Sequence, residues 1–413
     1  MVETEVQKER VILVGVSEQD GDDTKDSLEE LKELVATAGA VTEGMVIQNR
    51  ERIHPGTYVG TGKVSEIKEM LATTGATGIV CDDELSPAQM KNLEDLLDTK
   101  VMDRTLVILD IFAAHASTSE GKIQVELAQL RYSMTLLAGF GRSMSRLGGG
   151  IGTRGPGEKK LEMDKRIIRT RISQLKRELA EVKKHREVAR GQRMRNHVPV
   201  AAIVGYTNAG KSTLLNHLTH AGVLEEDKLF ATLDPTTRQL ELPGKQQILL
   251  TDTVGFIRKL PHHLIEAFKS TLEEAKYADF IIHVVDASNP QADKQMYIVY
   301  NTLQELDIRD KKIVTLFNKM DRPEADRELR DFRADHTARI SARNDRDLET
   351  VKELLAQVLR ENKTYMEHVF SYEDAGKIQV IRRQGELLSE EYTPEGIFVK
   401  AYIPAEVYDR LGI

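Results

Sequence analysis

The sequence has little of what marks secreted or membrane-spanning proteins. Cys81 is the only cysteine among 413 residues, so no disulfide can form within the chain, and its apolar surroundings predict a buried structural thiol. No apolar run approaches the roughly 20 residues that a membrane-spanning helix needs. The first residues, MVETEVQKER, do not resemble a signal peptide. We therefore expect a cytoplasmic protein without a membrane span.

Acidic residues are missing from one part of a chain that is acidic overall. Residues 127–157 contain no Asp or Glu, and residues 127–197 carry 18 Lys or Arg against 6 Asp or Glu. The formal net charge of the whole chain is −8, so charge is strongly segregated. A local positive charge of this size indicates a polyanionic partner, although the net charge alone would argue against one.

The order of apolar and charged segments predicts four domains. Short apolar runs alternate with helical patterns over residues 1–115, which predicts an N-terminal α/β domain with parallel strands. Over residues 116–196, apolar residues recur at heptad spacing on both sides of a glycine-rich break, which predicts a long antiparallel helical hairpin. Continuous apolar strands over residues 197–362 are typical of a doubly wound α/β sheet. We expect residues 363–413 to form a small C-terminal α+β domain.

The connection between the two predicted helices, AGFGRSMSRLGGGIGTRGPGE, is longer than an ordinary turn. Helix–helix connections in bundles usually take about 2 to 8 residues. This one is also glycine-rich and cationic, as expected of a loop that contacts phosphates. An ordinary helix pair with a solvated charged face is the open alternative. The candidate RNA-binding residues are Arg142, Arg146, Gly149, Gly150, Arg154, Lys159 and Lys160.

The stretch GYTNAGKST, residues 205–213, matches the phosphate-loop pattern G-x-x-x-x-G-K-[ST]. It follows an apolar strand and precedes a helical segment, which is the context that gives the pattern its meaning. Its glycines allow backbone N–H groups to surround the β-phosphate, and Lys211 reaches the β- and γ-phosphate oxygens. The Ser212 hydroxyl is a candidate ligand of Mg²⁺.

A second stretch, GTYVGTGKV at residues 56–64, resembles this pattern but fails it. Gly62 and Lys63 are present, whereas Thr57 stands where the first glycine is required and Val64 has no hydroxyl. We interpret this stretch as a turn, and a nucleotide contact in the N-terminal domain stays open.

Three further motifs follow the phosphate loop in the order that a guanine-nucleotide switch requires. In TDTVG, Asp252 can hold Mg²⁺ through water and the Gly255 amide can sense the γ-phosphate. In NKMD, the Asp321 carboxylate can accept hydrogen bonds from the N1–H and 2-amino groups of guanine, which adenine does not offer in that arrangement. The segment SAR at 341–343 can complete the base pocket. We therefore predict a P-loop GTPase domain that binds GTP or GDP with Mg²⁺.

The segment LFATLDPTTR, between the phosphate loop and TDTVG, should supply a second hydroxyl ligand of Mg²⁺. Thr232, Thr236 and Thr237 compete for this role, and composition does not choose among them. The predicted nucleotide-binding residues are Gly205, Tyr206, Thr207, Asn208, Ala209, Gly210, Lys211, Ser212, Thr213, Phe230, Ala231, Thr232, Leu233, Asp234, Asp252, Thr253, Val254, Gly255, Asn318, Lys319, Met320, Asp321, Ser341, Ala342 and Arg343.

Taken together, these motifs resemble the HflX family of translation-factor-related GTPases. VGYTNAGKSTL, FATLDPTTR, LTDTVGFIRKLPH, GGGIGTRGPGE and VELAQLRY match the family's pattern, and the match is least specific in residues 363–413. The resemblance implies a cytoplasmic, monomeric GTPase that binds the 50S ribosomal subunit and its 23S rRNA, and not DNA. It also implies that the protein splits stalled or idle 70S ribosomes, with the glycine-rich loop entering near the peptidyl-transferase centre.

The resemblance also assigns roles at the site. It places Thr232 beside Ser212 and Asp252 as the Mg²⁺ ligands. It implies that Lys211, Thr232 and Gly255 act in catalysis. Whether the main task is ribosome splitting, subunit assembly or the silencing of idle ribosomes is open. Transient association with ribosomes or membranes is open as well.

The residue after the DTVG motif is unusual for a GTPase. Many GTPases place a glutamine there to orient the attacking water, whereas this chain has Phe256, whose side chain cannot form a hydrogen bond. We expect Phe256 to pack against the sheet and intrinsic hydrolysis to be slow until the ribosome orders the site or supplies the missing group. Arg238 and Arg258 are candidates to supply charge in cis. Asn208 lies where related GTPases with an asparagine in this loop bind K⁺, so K⁺ is a candidate cation.

Two other functions are open at this point. One is a ribosome-binding or assembly scaffold with GTP as a structural ligand and little turnover, which the absence of the glutamine favours. The other is an RNA-remodelling protein that acts through its N-terminal α/β domain, which the failed pattern at 56–64 weakens.

Overall fold

The computed structural model describes residues 8–18, 23–147, 156–195, 198–219, 229–230, 235–260, 274–361 and 363–412. The chain divides into two compact units. The first comprises residues 1–184, 227–234 and 257–270, and the second comprises residues 185–226, 235–256 and 271–413. Two short segments from the second half of the sequence thus group with the N-terminal part. The division into four domains stays a prediction.

A four-stranded parallel sheet lies at the centre of the first unit, as the sequence predicts. Its strands, in the order β2-β1-β3-β4, are β1 (Arg10–Ser17), β2 (Val41–Asn49), β3 (Gly78–Cys81) and β4 (Lys100–Asp103). The accompanying helices are α1 (Thr24–Thr37), α2 (Thr61–Thr74), α3 (Pro87–Leu97) and α4 (Arg104–His115). Cys81 is fully buried at the end of β3, which confirms the expected structural thiol.

Two long helices follow, α5 (Ser119–Leu147) and α6 (Pro156–Arg195). Leu127, Ile172 and Leu175 form a small buried cluster between them. The residues packed against this cluster also belong to the predicted heptad seam: Ile123, Leu130, Met134 and Ile168. Arg171 crosses the pair by donating from Nε and Nη2 to the two carboxylate oxygens of Glu126, at 2.6 and 2.9 Å. The predicted pairing of the two helices is therefore confirmed for this section.

The second unit contains a six-stranded sheet that is parallel except at one edge. In the order β10-β9-β8-β5-β7-β6, its strands are β5 (Val200–Gly205), β6 (Thr236–Leu242), β7 (Gln246–Asp252), β8 (Phe280–Asp286), β9 (Lys312–Asn318) and β10 (His336–Arg339). Only β6 runs antiparallel to its neighbour. The helices are α7 (Lys211–Thr219), α8 (Ala292–Glu305) and α9 (Asp345–Arg360). The central strand β8 is buried along its whole length, as a strand covered on both faces should be.

The C-terminal part of the second unit is a three-stranded antiparallel sheet with two helices. Its elements are β11 (Thr364–Phe370), α10 (Ala375–Gln384), β12 (Glu386–Thr393), β13 (Gly396–Ile403) and α11 (Ala405–Leu411). This agrees with the predicted α+β composition. Arg360, at the end of α9, donates from Nε to the fully buried Glu386 carboxylate at 2.7 Å, which links this sheet to the preceding helix. Among the described residues, we find no helix with the length and apolar character to span a membrane.

Candidate nucleotide-binding site

The phosphate loop connects the end of β5 to the start of α7, at the carboxyl edge of the parallel sheet. Two of its glycines are required by the backbone. A Cβ at Gly205 would lie 2.3 Å from the Val284 carbonyl oxygen. Gly210 has φ +94°, and a Cβ there would lie 2.3 Å from Asn318 Nδ2. Asn208 also has a positive φ, +59°, a conformation that asparagine tolerates better than most residues.

Lys211 lies buried at the centre of this loop. Its Nζ donates to the Tyr206 carbonyl oxygen at 2.8 Å. Burial lowers the pKa of the Lys211 amine to about 8. A desolvated ammonium group of this kind gains more from a phosphate than a solvated one does, because the local dielectric constant is low. The position agrees with the predicted role of Lys211 in holding phosphate oxygens.

Ser212, in the first turn of α7, lies next to Asp252 at the end of β7. The Ser212 Oγ donates to Asp252 Oδ2 at 2.7 Å, and Asp252 is fully buried. A hydroxyl and a carboxylate oxygen are hard ligands of the type that Mg²⁺ prefers. Within the described residues, no group of three or more His, Cys, Asp or Glu could hold a metal ion by itself. The pair therefore fits an ion that takes its remaining ligands from phosphate, water or a further hydroxyl.

The DTVG motif lies directly against the phosphate loop. The Phe256 amide donates to the Gly205 carbonyl oxygen at 3.1 Å, and the Thr207 amide donates to the Phe256 carbonyl oxygen at 2.8 Å. A Cβ on Gly255 would lie 2.9 Å from Thr207 Cα and 3.0 Å from Lys211 Nζ, so this position requires a glycine. The Phe256 side chain is only 2% exposed, which confirms its expected packing role.

Hydrogen bonds connect the NKMD and SAR motifs to the phosphate loop. Asn318, at the end of β9, donates from Nδ2 to the Ala209 carbonyl oxygen and accepts at Oδ1 from the Ala342 amide, both at 2.9 Å. Lys319, with φ +66°, donates to the Asn208 carbonyl oxygen at 2.7 Å and pairs with Asp286 at 2.8 Å. Three motifs far apart in sequence thus form one network.

Asp321 is an exposed carboxylate beside this network. A hydrogen bond from the Ser341 side chain holds the pKa of the Asp321 carboxyl below its ordinary value. Ser341 is itself fixed, because its amide donates to Asp347 Oδ2 at 2.7 Å. Asp321 is therefore ionised at neutral pH, as an acceptor for the two guanine donors must be. In the phosphate loop, the buried Thr207 Oγ1 has no hydrogen-bond partner in the described part of the chain.

Some predicted contacts cannot be placed. Ala231, Thr232, Leu233 and Asp234 lie outside the described residues, so the choice of Thr232 stays a prediction. Of its competitors, Thr237 shares a hydrogen bond with Thr251 Oγ1 at 2.9 Å, and Thr236 begins β6. For the hairpin candidates, Gly149, Gly150 and Arg154 lie outside the described residues. Arg142, Arg146, Lys159 and Lys160 fall on α5 and α6, but their side chains are not described.

Phe230 and the two candidate arginines lie in surroundings that the sequence did not suggest. The Phe230 ring packs edge-on against Phe112 of α4, with ring centroids 4.7 Å apart, so any contact of this residue with a nucleotide would involve its backbone. Arg258 is buried and pairs with Asp23 at 3.1 Å and Glu30 at 3.6 Å. It is therefore engaged by N-terminal carboxylates. Arg238 is exposed, and its Nη1 donates to the Thr237 carbonyl oxygen at 3.2 Å.

Sequence reasoning missed two contributions to these contacts. Asp286, at the end of β8, was not considered, although the carboxyl end of a central strand is where ligand-proximal residues are found. Nothing in the local sequence around Lys259 indicates its ion pairs. Its two ion pairs, described below, join residues 176 and 177 positions apart, which no local pattern reveals.

Family comparisons agree with this geometry. Three family models match consecutive parts of the chain: "GTP-binding GTPase N-terminal" over residues 25–113, "GTP-binding GTPase Middle Region" over 115–193 and "50S ribosome-binding GTPase" over 200–319. The last match spans the phosphate loop, DTVG and the beginning of NKMD.

Similar proteins cover the whole chain. A protein named GTPase HflX from Lacrimispora saccharolytica is 67% identical over 412 residues, which is 100% of this chain and 97% of that protein. A GTPase HflX from Caldanaerobacter subterraneus is 46% identical, over 98% of this chain and 93% of that protein. A solved GTP-binding protein from Sulfolobus solfataricus in complex with GDP is 25% identical, covers 84% of this chain and 98% of that chain, and has a TM-score of 0.44.

Proposed function

Because this chain belongs to the HflX family of GTPases, we propose that it is a GTP-driven factor that binds the 50S ribosomal subunit and dissociates stalled or idle 70S ribosomes. In this proposal the GTP-bound form binds and acts, and hydrolysis to GDP releases the factor. The family assignment gives the GTPase activity. The proposal adds that the factor acts on the ribosome and that its action separates the two subunits.

The observation that carries the nucleotide part is the network around Asn318. It holds the phosphate loop at Ala209 and the base-pocket segment at Ala342, so one side chain sets the distance between phosphate and base sites. The ionised Asp321 then selects guanine. A site built around hydrogen bonds to a substrate N–H group discriminates strongly against analogues that lack it.

The residues divide the chemistry in a defined way. Lys211 neutralises phosphate charge and the Gly255 amide faces the γ-phosphate position, while Ser212, Asp252 and Thr232 would hold Mg²⁺. The ion supplies charge stabilisation for the departing phosphate. No side chain at position 256 can orient water, because Phe256 is buried and apolar. We therefore propose slow intrinsic hydrolysis that the ribosome stimulates.

The ribosome part of the proposal is supported by the charge of the hairpin and by the family description of residues 200–319. The cationic connection between α5 and α6 is the proposed contact with 23S rRNA. Replacing Arg146 and Arg154 by Ala should weaken 50S binding and its salt dependence, because fewer counterions are released, while nucleotide affinity should not change. Unchanged 50S binding would exclude the tip as the contact.

A scaffold that uses GTP as a structural ligand is the second candidate, and the buried Phe256 favours it. Two measurements separate the candidates. Light scattering of 70S particles mixed with the protein and a non-hydrolysable GTP analogue should fall if the protein splits ribosomes, and the ATP analogue should have no effect. Multiple-turnover phosphate release with 50S subunits should be continuous for a switch, and should stop after one turnover or less for a scaffold.

A further inference from the structure

Lys259 follows the DTVG motif by four residues and belongs to the first compact unit. Its Nζ lies 2.5 Å from Asp82 Oδ2 and 2.6 Å from Asp83 Oδ1. Its φ of +52° is a conformation that lysine rarely adopts. A residue in this conformation depends on its surroundings to keep it there, and two carboxylates hold the ammonium group of Lys259.

The carboxylates that receive Lys259 belong to a buried charge cluster. Asp82 is 1% exposed and also accepts from Arg104 Nη2 at 2.7 Å, and Arg104 pairs with Glu30 at 2.7 Å. Burial by itself would raise the pKa of the Asp82 carboxyl, but the charges of Arg104 and Lys259 hold it below its ordinary value. The positive charge of Lys259 is therefore part of what keeps this cluster ionised.

Arg258 contacts carboxylates that precede or belong to α1. Its guanidinium pairs with Asp23, which precedes α1, and with Glu30 on α1. Asp82 and Asp83 follow β3, and α1 follows β1. β2 lies on one side of β1 and β3 lies on the other, so the sheet has a topological switch point between β1 and β3. Ligands of open parallel sheets bind at the carboxyl ends of the strands that flank such a point. In this sheet that position is taken by the protein's own cationic pair.

The segment LFATLDPTTR also belongs in part to the first unit, which includes residues 227–234. Phe230 precedes Thr232 by two residues, has φ +57° and is 2% exposed. Its ring packs against Phe112, which is fully buried on α4. Lys259 lies close to DTVG and Phe230 lies close to Thr232, the two places where we expect contacts with the γ-phosphate and Mg²⁺. Both residues are thus fixed within the first unit.

We propose that the carboxyl edge of the N-terminal sheet is a positioning site for the segment that follows DTVG, in which Asp82 and Asp83 hold Lys259 and thereby set the rate of GTP hydrolysis. The inference rests on the proposed GTPase function. Four residues of extended chain span at most about 14 Å, so fixing Lys259 restricts where Gly255 can move. In a GTPase without a water-orienting glutamine, hydrolysis depends on how well the backbone of this segment is ordered.

The K259M variant tests this directly, because it keeps an unbranched side chain of similar length and removes the charge. K100M is the matched control: Lys100 makes a comparable pair with Glu9 at 2.7 Å, at the opposite edge of the same sheet. In K259M the single-turnover hydrolysis rate should fall at least about fivefold with GTP affinity within twofold of wild type, and K259R should recover most of it. K100M should match wild type. An unchanged or faster rate in K259M overturns the proposal.

Two further measurements separate this inference from the function it rests on. Hydrogen exchange of the amides of residues 252–260, with a GTP analogue bound, should be at least about tenfold faster in K259M than in wild type or K100M. This readout needs no turnover, so it tests the anchor even if wild type proves inactive as a GTPase. In a double-mutant cycle, adding D83N to K259M should have little further effect on either readout. Additive effects, or equal exchange in all variants, contradict the proposal.

Discussion

The four-stranded and six-stranded sheets each have, at their carboxyl edge, a loop that matches or resembles G-x-x-x-x-G-K, but the two loops use their backbone donors differently. In the loop after β2, the amides of Gly56 and Thr57 both donate to His54 Nδ1, at 3.2 and 3.1 Å, and the Gly60 amide donates to Gln48 Oε1 at 2.8 Å. This loop satisfies its own donors. Such a loop has few amides to offer an anion.

The loop after β5 contrasts with it. The amides of Asn208 and Gly210 donate no hydrogen bond to another described residue, and both residues have positive φ. This backbone can present its N–H groups to a phosphate. Glycine spacing alone therefore does not identify a phosphate loop, since the two loops differ in whether their backbone N–H groups are already hydrogen-bonded within the protein. The turn predicted at 56–64 is confirmed only for residues 56–60, because α2 begins at Thr61 and residues 61–64 are helical.

The largest expected effect is a loss of GDP affinity in the G210A variant, for which G62A is the control. A Cβ at Gly210 would meet Asn318 Nδ2 at 2.3 Å in a strained backbone conformation, whereas a Cβ at Gly62 has no neighbour within 4 Å. GDP affinity should fall at least about 100-fold in G210A, because strain of about 1–3 kcal/mol adds to the clash. G62A should bind GDP normally. Equal affinities in an equilibrium titration would mean that the second loop is not the phosphate site.

Base recognition gives the next largest effect. D321N removes the charged acceptor for both guanine donors, and each hydrogen bond to a charged group contributes about 1.5–3 kcal/mol. We expect GDP affinity to fall about 100-fold or more, with ADP affinity unchanged. D326N, at an exposed aspartate a few residues along, is the control and should bind like wild type. If D321N still prefers GDP over ADP, the assignment of the base pocket is wrong.

The next prediction concerns the uptake of a proton by Lys211 when the nucleotide binds. Burial lowers the pKa of Lys211 to about 8, so below that pH the amine is charged before the nucleotide binds. Above it, binding must take up a proton, and GDP affinity should fall by up to about tenfold for each pH unit. Calorimetry at about pH 8.5 in buffers of different ionisation enthalpy measures this uptake. Absence of proton uptake would show that Lys211 is already charged in the free protein.

The smallest expected effect concerns the cation beside Asn208. Replacing K⁺ by Na⁺ should lower the single-turnover hydrolysis rate several-fold in wild type, because K⁺ would add positive charge between the phosphates. N208A should be slow in both salts, which separates a bound ion from a general salt effect. A wild-type rate that is the same in K⁺ and Na⁺ excludes a K⁺ site.

Much of the fold and site could be predicted from the sequence, for a local reason. Continuous apolar runs identify buried parallel strands, and their carboxyl ends necessarily share one edge, so Gly205, Asp252 and Asn318 are brought together by topology alone. The hairpin seam follows from spacing in the same way.

The contacts that could not be predicted depend on side chains distant in sequence. The pairs of Lys259 with Asp82 and Asp83, and the packing of Phe230 on Phe112, leave no periodic trace. The pattern at 56–64 shows that this sheet lacks a complete phosphate loop, but it gives no sign that Lys259 contacts the sheet at Asp82 and Asp83.

We propose above all that the pocket beginning at Gly205 binds guanine nucleotides selectively. Equilibrium binding of GDP and ADP to the purified full-length chain, in Mg²⁺, tests it most directly. We expect saturable binding of one GDP per chain, with ADP at least about 100-fold weaker. Comparable affinities for the two nucleotides, or no binding of GDP, would contradict it.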